Sequence, residues 1–284
     1  SSQALFTEFL DQIDLTRTSD TMGAPGTVYF PWKTLKNRRG YDLSIPGNPK
    51  MMQMMNYLRY YAFPSNSLTP AVSWMPAECP GAVSSLQRNG RTLSWEGPEN
   101  VRYAVYFVPK SVDTKTFRKD AEYLHIVSYD NTYEIPDAVV DYPGFGIADA
   151  DLDNYNYAVA ILDRYGNEYS AFFVGQPVET AVKPTPTFPV QGEKAPGVFN
   201  FRWDGSSSVY EIIVSDDAEM KNVLARKEVE ANFIPSVDVC TFEADKTYYW
   251  KVVARQNNAA DVTSDVNSFS VDAFRVISPE NGAT

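Results

Sequence analysis

One pattern occurs twice in this sequence, and it restricts the fold more than any other feature. A short strand ending in tryptophan, Arg91-Thr92-Leu93-Ser94-Trp95, precedes a longer apolar strand, Val101 to Val108 (VRYAVYFV). Two more strands follow, Asn156 to Leu162 (NYAVAIL) and Glu168 to Val174 (EYSAFFV). The order then returns. Val198 to Trp203 (VFNFRW) takes the place of the first Trp strand, and Val209 to Val214 (VYEIIV) that of 101–108. Thr247 to Ala254 (TYYWKVVA) matches 156–162, and Asn267 to Val271 closes the unit. Two copies of one β module, roughly 95 residues each, are therefore predicted. The first copy has the longer central loops.

Punctuation residues set the boundaries. Asp163-Arg164-Tyr165-Gly166-Asn167 predicts a tight hairpin, with Gly166 and Asn167 as the residues that tolerate positive φ. Pro177, Pro184, Pro186 and Pro189 predict a stiff, extended linker. The resulting division is an α/β segment over 1–79, a sandwich over 80–176, a Pro-rich linker over 177–189, a second sandwich over 190–275 and a tail over 276–284. The fold class is mostly β: two tandem sandwiches preceded by a partial α/β segment.

Composition excludes several functions. The 284 residues carry a net charge of -11, and an acidic surface repels phosphate backbones, so nucleic acid is not an expected partner. No apolar run approaches the roughly 20 residues of a membrane span. One histidine, His125, is too few for a His-based triad or a two-His metal site. Two cysteines, Cys79 and Cys240, fall in different predicted domains and are read as free thiols. Neither metal nor cofactor is predicted.

Residues 1–79 read differently. Leu5, Phe6, Phe9, Leu10 and Ile13 recur at helical spacing almost from the first residue, as expected of a chain cut from something longer. Thr27-Val28-Tyr29-Phe30-Pro31-Trp32 is a short apolar strand of the kind covered on both faces. A second helix has a broad apolar face of Met51, Met52, Met54, Met55, Leu58 and Tyr61, and Pro64 stops it. A lone strand cannot make a sheet. If the barrel is absent, strand 27–32 must pair with a β module, pair with another chain, which would give a homodimer by exchange, or lose strand form.

The Trp strand followed by a tyrosine at the start of a late strand resembles the fibronectin type III module. Phe201-Arg202-Trp203, Phe242, and the alternation Tyr248, Trp250, Val252, Ala254 carry the likeness in the second copy. Leu93-Ser94-Trp95 and Tyr157-Ala158-Val159-Ala160 carry it in the first, where the corner leucine is displaced to Leu152 and a weaker corner hydrogen bond is expected.

Residues 1–79 resemble the end of the TIM barrel of secreted bacterial glycosyl hydrolase-like family ten proteins. The likeness rests on Gln12-Ile13 and Arg17, Gly26 to Phe30, the helix 49–63 and Leu68-Thr69-Pro70-Ala71-Val72, followed by a fibronectin-like module with a hairpin like 162–168. It implies the last helix–strand–helix of an eight-stranded barrel, without the strands that usually bring the catalytic carboxylates. It also implies a secreted, periplasmic or surface location in a bacterium, with polysaccharide as the partner.

Candidate sites follow. Trp32, at the C-terminal end of the barrel-like strand, is the candidate for stacking on a sugar ring; otherwise it packs on the second helix or the first β module. Asp149, Asp151, Asp153 and Asn154 resemble the first ligands of a calcium loop, but Ala160 stands where the bidentate glutamate belongs, so a solvated loop is expected. His125 lies in a strand-like run and is read as a surface or edge residue. Tyr60, Tyr61, Tyr103, Tyr106, Tyr123, Tyr129, Tyr133, Tyr142, Tyr155 and Tyr165 exceed what two cores need, and those left exposed are candidate glycan contacts. No catalytic residue is predicted. The expected role is that of a non-catalytic region that spaces or stabilises a glycoside hydrolase barrel. A carbohydrate-binding module and a protein-interaction or adhesin-type spacer are the alternatives.

Overall fold

The two apolar repeats fold into two sandwiches, because their strands bury one face against a partner sheet. The computed structural model describes residues 11–12, 15, 65–72, 74–75, 78–138 and 146–273. The chain divides into Ser1–Asn66 and Ser67–Thr284. In the first unit Asp11, Gln12 and Leu15 are helical. The expected strand 27–32, the Met-rich helix, Trp32, Tyr60, Tyr61 and Tyr142 lie outside the described residues, as does the strand-exchange dimer that rested on 27–32.

In the second unit the first sandwich comprises β1 (Ser84–Asn89), β2 (Thr92–Glu96), β3 (Arg102–Pro109), β4 (Leu124–Ser128), β5 (Thr132–Glu134), β6 (Tyr155–Leu162) and β7 (Glu168–Phe173). One antiparallel sheet has the order β1-β2-β5 and the other β4-β3-β6-β7. Then come β8 (Glu179–Thr180), β9 (Thr185–Phe188), β10 (Glu193–Ala195), β11 (Asn200–Asp204), β12 (Val209–Ser215), β13 (Val223–Val229) and β14 (Phe233–Pro235). A helical turn α1 (Ser236–Val239) precedes β15 (Thr247–Arg255), β16 (Ala259–Ala260), β17 (Val262–Thr263) and β18 (Asn267–Val271). Here the sheets are β14-β11-β9 and β10-β18-β15-β12-β13, with β17 on β15. Both copies set a three-stranded sheet against a larger one, the arrangement of fibronectin type III and immunoglobulin-like domains. Strands β8 and β9 lie in the stretch read as a linker; β9 pairs with β11 and carries Pro186 on the sheet edge, where a missing N–H does no harm.

The Trp–Tyr frame anchors each core. Trp95 meets Tyr103 edge-to-face with ring centroids 5.4 Å apart, and Trp203 meets Tyr210 in the same way at 5.5 Å. The Tyr103 hydroxyl donates to the Pro98 carbonyl at 2.6 Å, and the Tyr210 hydroxyl accepts from the Ser207 N–H at 2.9 Å. Both tyrosine corners are present. Tyr157 donates to the Leu152 carbonyl at 2.8 Å, so displacing the leucine has not cost the first copy its bond. In the second copy the Tyr248 hydroxyl accepts from the Glu243 N–H at 2.8 Å, with Phe242 packed on its ring.

The first sandwich has a second core on the outer face of its larger sheet. Ala104, Tyr106, Val108, Ala158, Ala160, Leu162, Ala171 and Phe173 are buried there beneath Phe117 and Leu124, and Leu68 packs against them. The long β3–β4 connection supplies this cover. That explains why β3 and β6 are apolar at nearly every position rather than at alternate ones. The second copy has a smaller equivalent: Met220, in the β12–β13 connection, covers Ile213 and Val253.

A glycine follows each Trp strand because the tyrosine hydroxyl fills the space. A Cβ on Gly205 would lie 2.4 Å from the Tyr210 hydroxyl oxygen, and one on Gly97 would lie 2.6 Å from that of Tyr103. At Gly197 the nearest atom would be 3.7 Å away. Gly205→Ala should therefore cost about 1–3 kcal/mol, whereas Gly197→Ala should be neutral or stabilise by up to about 1 kcal/mol. Urea denaturation of the two variants checks the opposite signs.

Candidate functional site

Among the described residues, the most elaborate arrangement of polar groups is the junction between the sandwiches. Strand β7 is an edge, and an edge leaves backbone groups without partners. The β15–β18 connection of the second sandwich supplies them. The Asn258 N–H donates to the Ala171 carbonyl at 2.8 Å, and the Phe173 N–H donates to Asn258 Oδ1 at 2.7 Å. Asn258 has a φ of 60°, which Asn adopts more readily than most residues. The Gln256 N–H donates to Ser170 Oγ at 3.2 Å, and that hydroxyl donates to Asp261. Asn257 Nδ2 reaches the carbonyls of Thr114 and Phe117, each at 2.9 Å. Strand β16 pairs in parallel with β8, so the connecting segment is held to the same loop. At the rim Arg118 and Glu230 form an ion pair at 2.6 Å.

Beneath these bonds lies a buried charge cluster. The Arg255 side chain is 8% exposed. Its Nη2 donates to Glu211 Oε2 at 3.0 Å, its Nε lies 3.3 Å from Asp261 Oδ2, and its Nη1 donates across the junction to the Glu168 carbonyl at 3.1 Å. The guanidinium also sits over the Tyr169 ring, 5.3 Å from its centroid. Arg226 shares Glu211 at 3.4 Å. Glu228, half exposed, lies 3.7 Å from Arg255 Nη1. The two cations thus face the buried carboxylates Glu211 and Asp261 and the rim carboxylate Glu228, and these pairings make the burial tolerable. The Tyr106 hydroxyl donates to the Glu168 carboxyl, and burial raises the pKa of both groups. A cavity of about 60 Å³ between the sandwiches is lined by Arg118, Lys119, Glu228, Arg255 and Asn257 among others; it holds little more than water.

The other candidate residues have local partners. Asp149 to Asn154 form a 3-10 turn. Asp149 pairs with Arg91 at 2.8 Å, Asp153 with Arg88, and Asp151 accepts from Asn154 Nδ2 at 3.0 Å. Among the described residues no group of three or more His, Cys, Asp or Glu side chains converges as metal ligands would. His125 lies on β4, stacked 3.9 Å from Phe107 and hydrogen-bonded to the Tyr133 hydroxyl at 2.9 Å; burial lowers its pKa to about 4. Cys79 and Cys240 are free thiols, one in each sandwich, and burial pushes Cys79 up to about 11, away from a nucleophilic thiolate. No helix among the described residues is long and apolar enough to cross a membrane.

The tyrosines divide by burial. Tyr103, Tyr106, Tyr157 and Tyr169 are buried, and Tyr123, Tyr133, Tyr155 and Tyr165 are half-buried. Tyr129 is 77% exposed. It stands at the loop end of the first sandwich, beside an open cleft of about 670 Å³ lined by Asn100, Val101, Arg102, Tyr129, Asp163 and Arg164. A second cleft of about 240 Å³ adjoins it and shares Arg102 and Tyr129. The hairpin beside them is held by Asp163. Its Oδ1 accepts from the N–H groups of Tyr165 and Asn167 at 2.8 and 2.9 Å. Gly166 takes positive φ, as expected, but Asn167 does not; its side chain instead donates to Asp163 Oδ2 at 2.8 Å.

No family model matches the chain, and no curated protein matches it. Among solved structures it is similar to the FN1–FN3 domains of chicken CNTN1, at 15% identity over 71% of this chain and 69% of that one, with a TM-score of 0.29. It is also similar to the fibronectin(III)-like modules of Clostridium thermocellum CbhA, at 15% identity over 68% of this chain and 93% of that one, TM-score 0.21. A third similarity is to the Arg-specific cysteine proteinase gingipain R, at 14% identity and TM-score 0.22; it covers 32% of this chain and only 19% of that one. These comparisons give no support to the barrel-end resemblance of residues 1–79.

Arg255→Ala should destabilise the protein by about 3–5 kcal/mol, because it leaves the buried Asp261 without its cation and Glu211 with Arg226 alone. Asn258→Gly keeps the backbone conformation but removes the acceptor for the Phe173 N–H, and should cost about 1–3 kcal/mol. Chemical denaturation checks both. For His125 the folded pKa is depressed, so the unfolded chain takes the proton first. Its contribution is complete above pH 6.5 and is lost as the pH falls toward about 4. Wild-type stability should therefore fall faster than that of His125→Gln across this window in pH-dependent thermal melts.

Proposed function

We propose that this chain is a non-catalytic spacer in which the two sandwiches form one rigid arm. Its setting is a secreted bacterial protein that acts on polysaccharide, where the arm spaces or steadies a glycoside-hydrolase-like barrel. One observation carries the spacer reading: the β15–β18 connection is bonded along the β7 edge over a buried cluster of ion pairs. A flexible linker between independent modules needs no such bonds. Interfaces between domains are ordinarily loose unless something fixes them, and here backbone hydrogen bonds and a buried guanidinium do so. The polysaccharide setting rests on the resemblance of residues 1–79 to a barrel end.

Nitrogen-15 relaxation on the full chain tests the rigid arm. Amides of both sandwiches should report one common rotational correlation time. Separate, shorter times in the unsubstituted chain would contradict the proposal. Release of reducing ends from a glycan by the purified chain would contradict its non-catalytic part.

A further inference from the structure

The two copies put the same end to different uses. In the second sandwich the β11–β12, β13–β14 and β15–β18 connections meet at one end and close onto the first sandwich. The matching connections of the first are β2–β3, β4–β5 and β6–β7. They meet at the end where Tyr129 and Arg102 line both adjoining clefts and Arg164 lines the larger one. In immunoglobulin-like folds this loop end is where binding surfaces are built.

The chemistry of the clefts selects the ligand. Asp163 contributes little acceptor capacity. Beyond its two Oδ1 bonds, its Oδ2 accepts from Asn167 Nδ2 and from the Tyr169 hydroxyl at 3.1 Å. Arg102 uses one Nη2 donor on the Asp163 carbonyl at 3.2 Å. Arg164 lies over the Tyr165 ring, 4.5 Å from its centroid, and donates to that hydroxyl, which holds the guanidinium in place. Each guanidinium has five N–H donors and spends one of them on these bonds, so an acceptor on a ligand can be met by both arginines. A carboxylate fits a guanidinium in two-point geometry. The exposed face of Tyr129 suits the C–H face of a pyranose ring, and the open cleft is wider than a single carboxylate side chain needs. Glu99 and Asp130 are exposed nearby but do not line the cleft. Their charges, like the net charge of -11, oppose an anion, so the attraction is limited to the two guanidiniums and the binding is weak.

We infer that the loop end of the first sandwich binds a carboxylate-bearing sugar of an acidic polysaccharide. Tyr129 stacks on the ring, and Arg102 and Arg164 take the carboxylate. The inference rests on these residues and not on the spacer reading, so either can fail without the other.

Calorimetric titration of the full chain with trigalacturonate tests it, with cellotriose as the neutral counterpart. The expected dissociation constant for trigalacturonate is about 0.1–1 mM, with binding at least roughly tenfold weaker for cellotriose and for the exposed-residue variants Tyr129→Ala and Arg164→Ala. Added salt should weaken the binding further. Amide shifts on the unsubstituted chain should centre on residues 100–102, 129 and 163–165, a readout that needs no variant. Absence of binding, equal binding of cellotriose, or shifts centred elsewhere would overturn the inference.

Discussion

A guanidinium is seldom buried, because removing its charge from water costs several kcal/mol unless carboxylates and hydrogen bonds replace the lost hydration. Arg255 is buried, and its partners come from both sandwiches. Glu211 and Asp261 belong to the second sandwich, while the Glu168 carbonyl and the Tyr169 ring belong to the first. The arginine therefore holds its environment together only while the sandwiches stay in place. Asn258 adds the backbone half of the same attachment by completing the β7 edge. Everything proposed for the chain as a rigid arm depends on this pairing of a buried charge with a satisfied sheet edge.

The covered outer face of the first sandwich supports the same end. Small side chains at Ala104, Ala158, Ala160 and Ala171 let the β3–β4 connection lie close on the sheet. That connection also presents the Thr114 and Phe117 carbonyls to Asn257. A single long loop thus seals one core and receives the neighbouring sandwich. The shorter β12–β13 connection of the second copy covers a smaller patch with Met220.

How much of this was legible in the sequence depended on the range of the interactions. The Trp95 and Trp203 frames, the two tyrosine corners and the main strands are local patterns of alternation and spacing, and they could be read directly. The near-continuous apolar runs at Val101–Val108 and Asn156–Leu162 also signal cover on both faces. The junction was not legible. Arg255, Asn258 and Asp261 are ordinary polar residues in an unremarked loop, and their meaning comes from partners such as Ser170 and Phe173, 85 to 91 positions away. The apex at Tyr129 was hidden for the same reason, since its three loops are brought together only by the sheet topology. Strand β9 was obscured because its prolines suggest a linker, while an edge position tolerates them.

The most direct test of the central claim is amide hydrogen exchange at Asn258 and Phe173 in the full chain. If the second sandwich completes the β7 edge, both amides should exchange as slowly as neighbouring amides of the central strands β3 and β6, although Asn258 lies in a loop. Exchange of both at the rate of open loop amides, with the central strands still protected, would mean that the edge is not held and that the two sandwiches move independently.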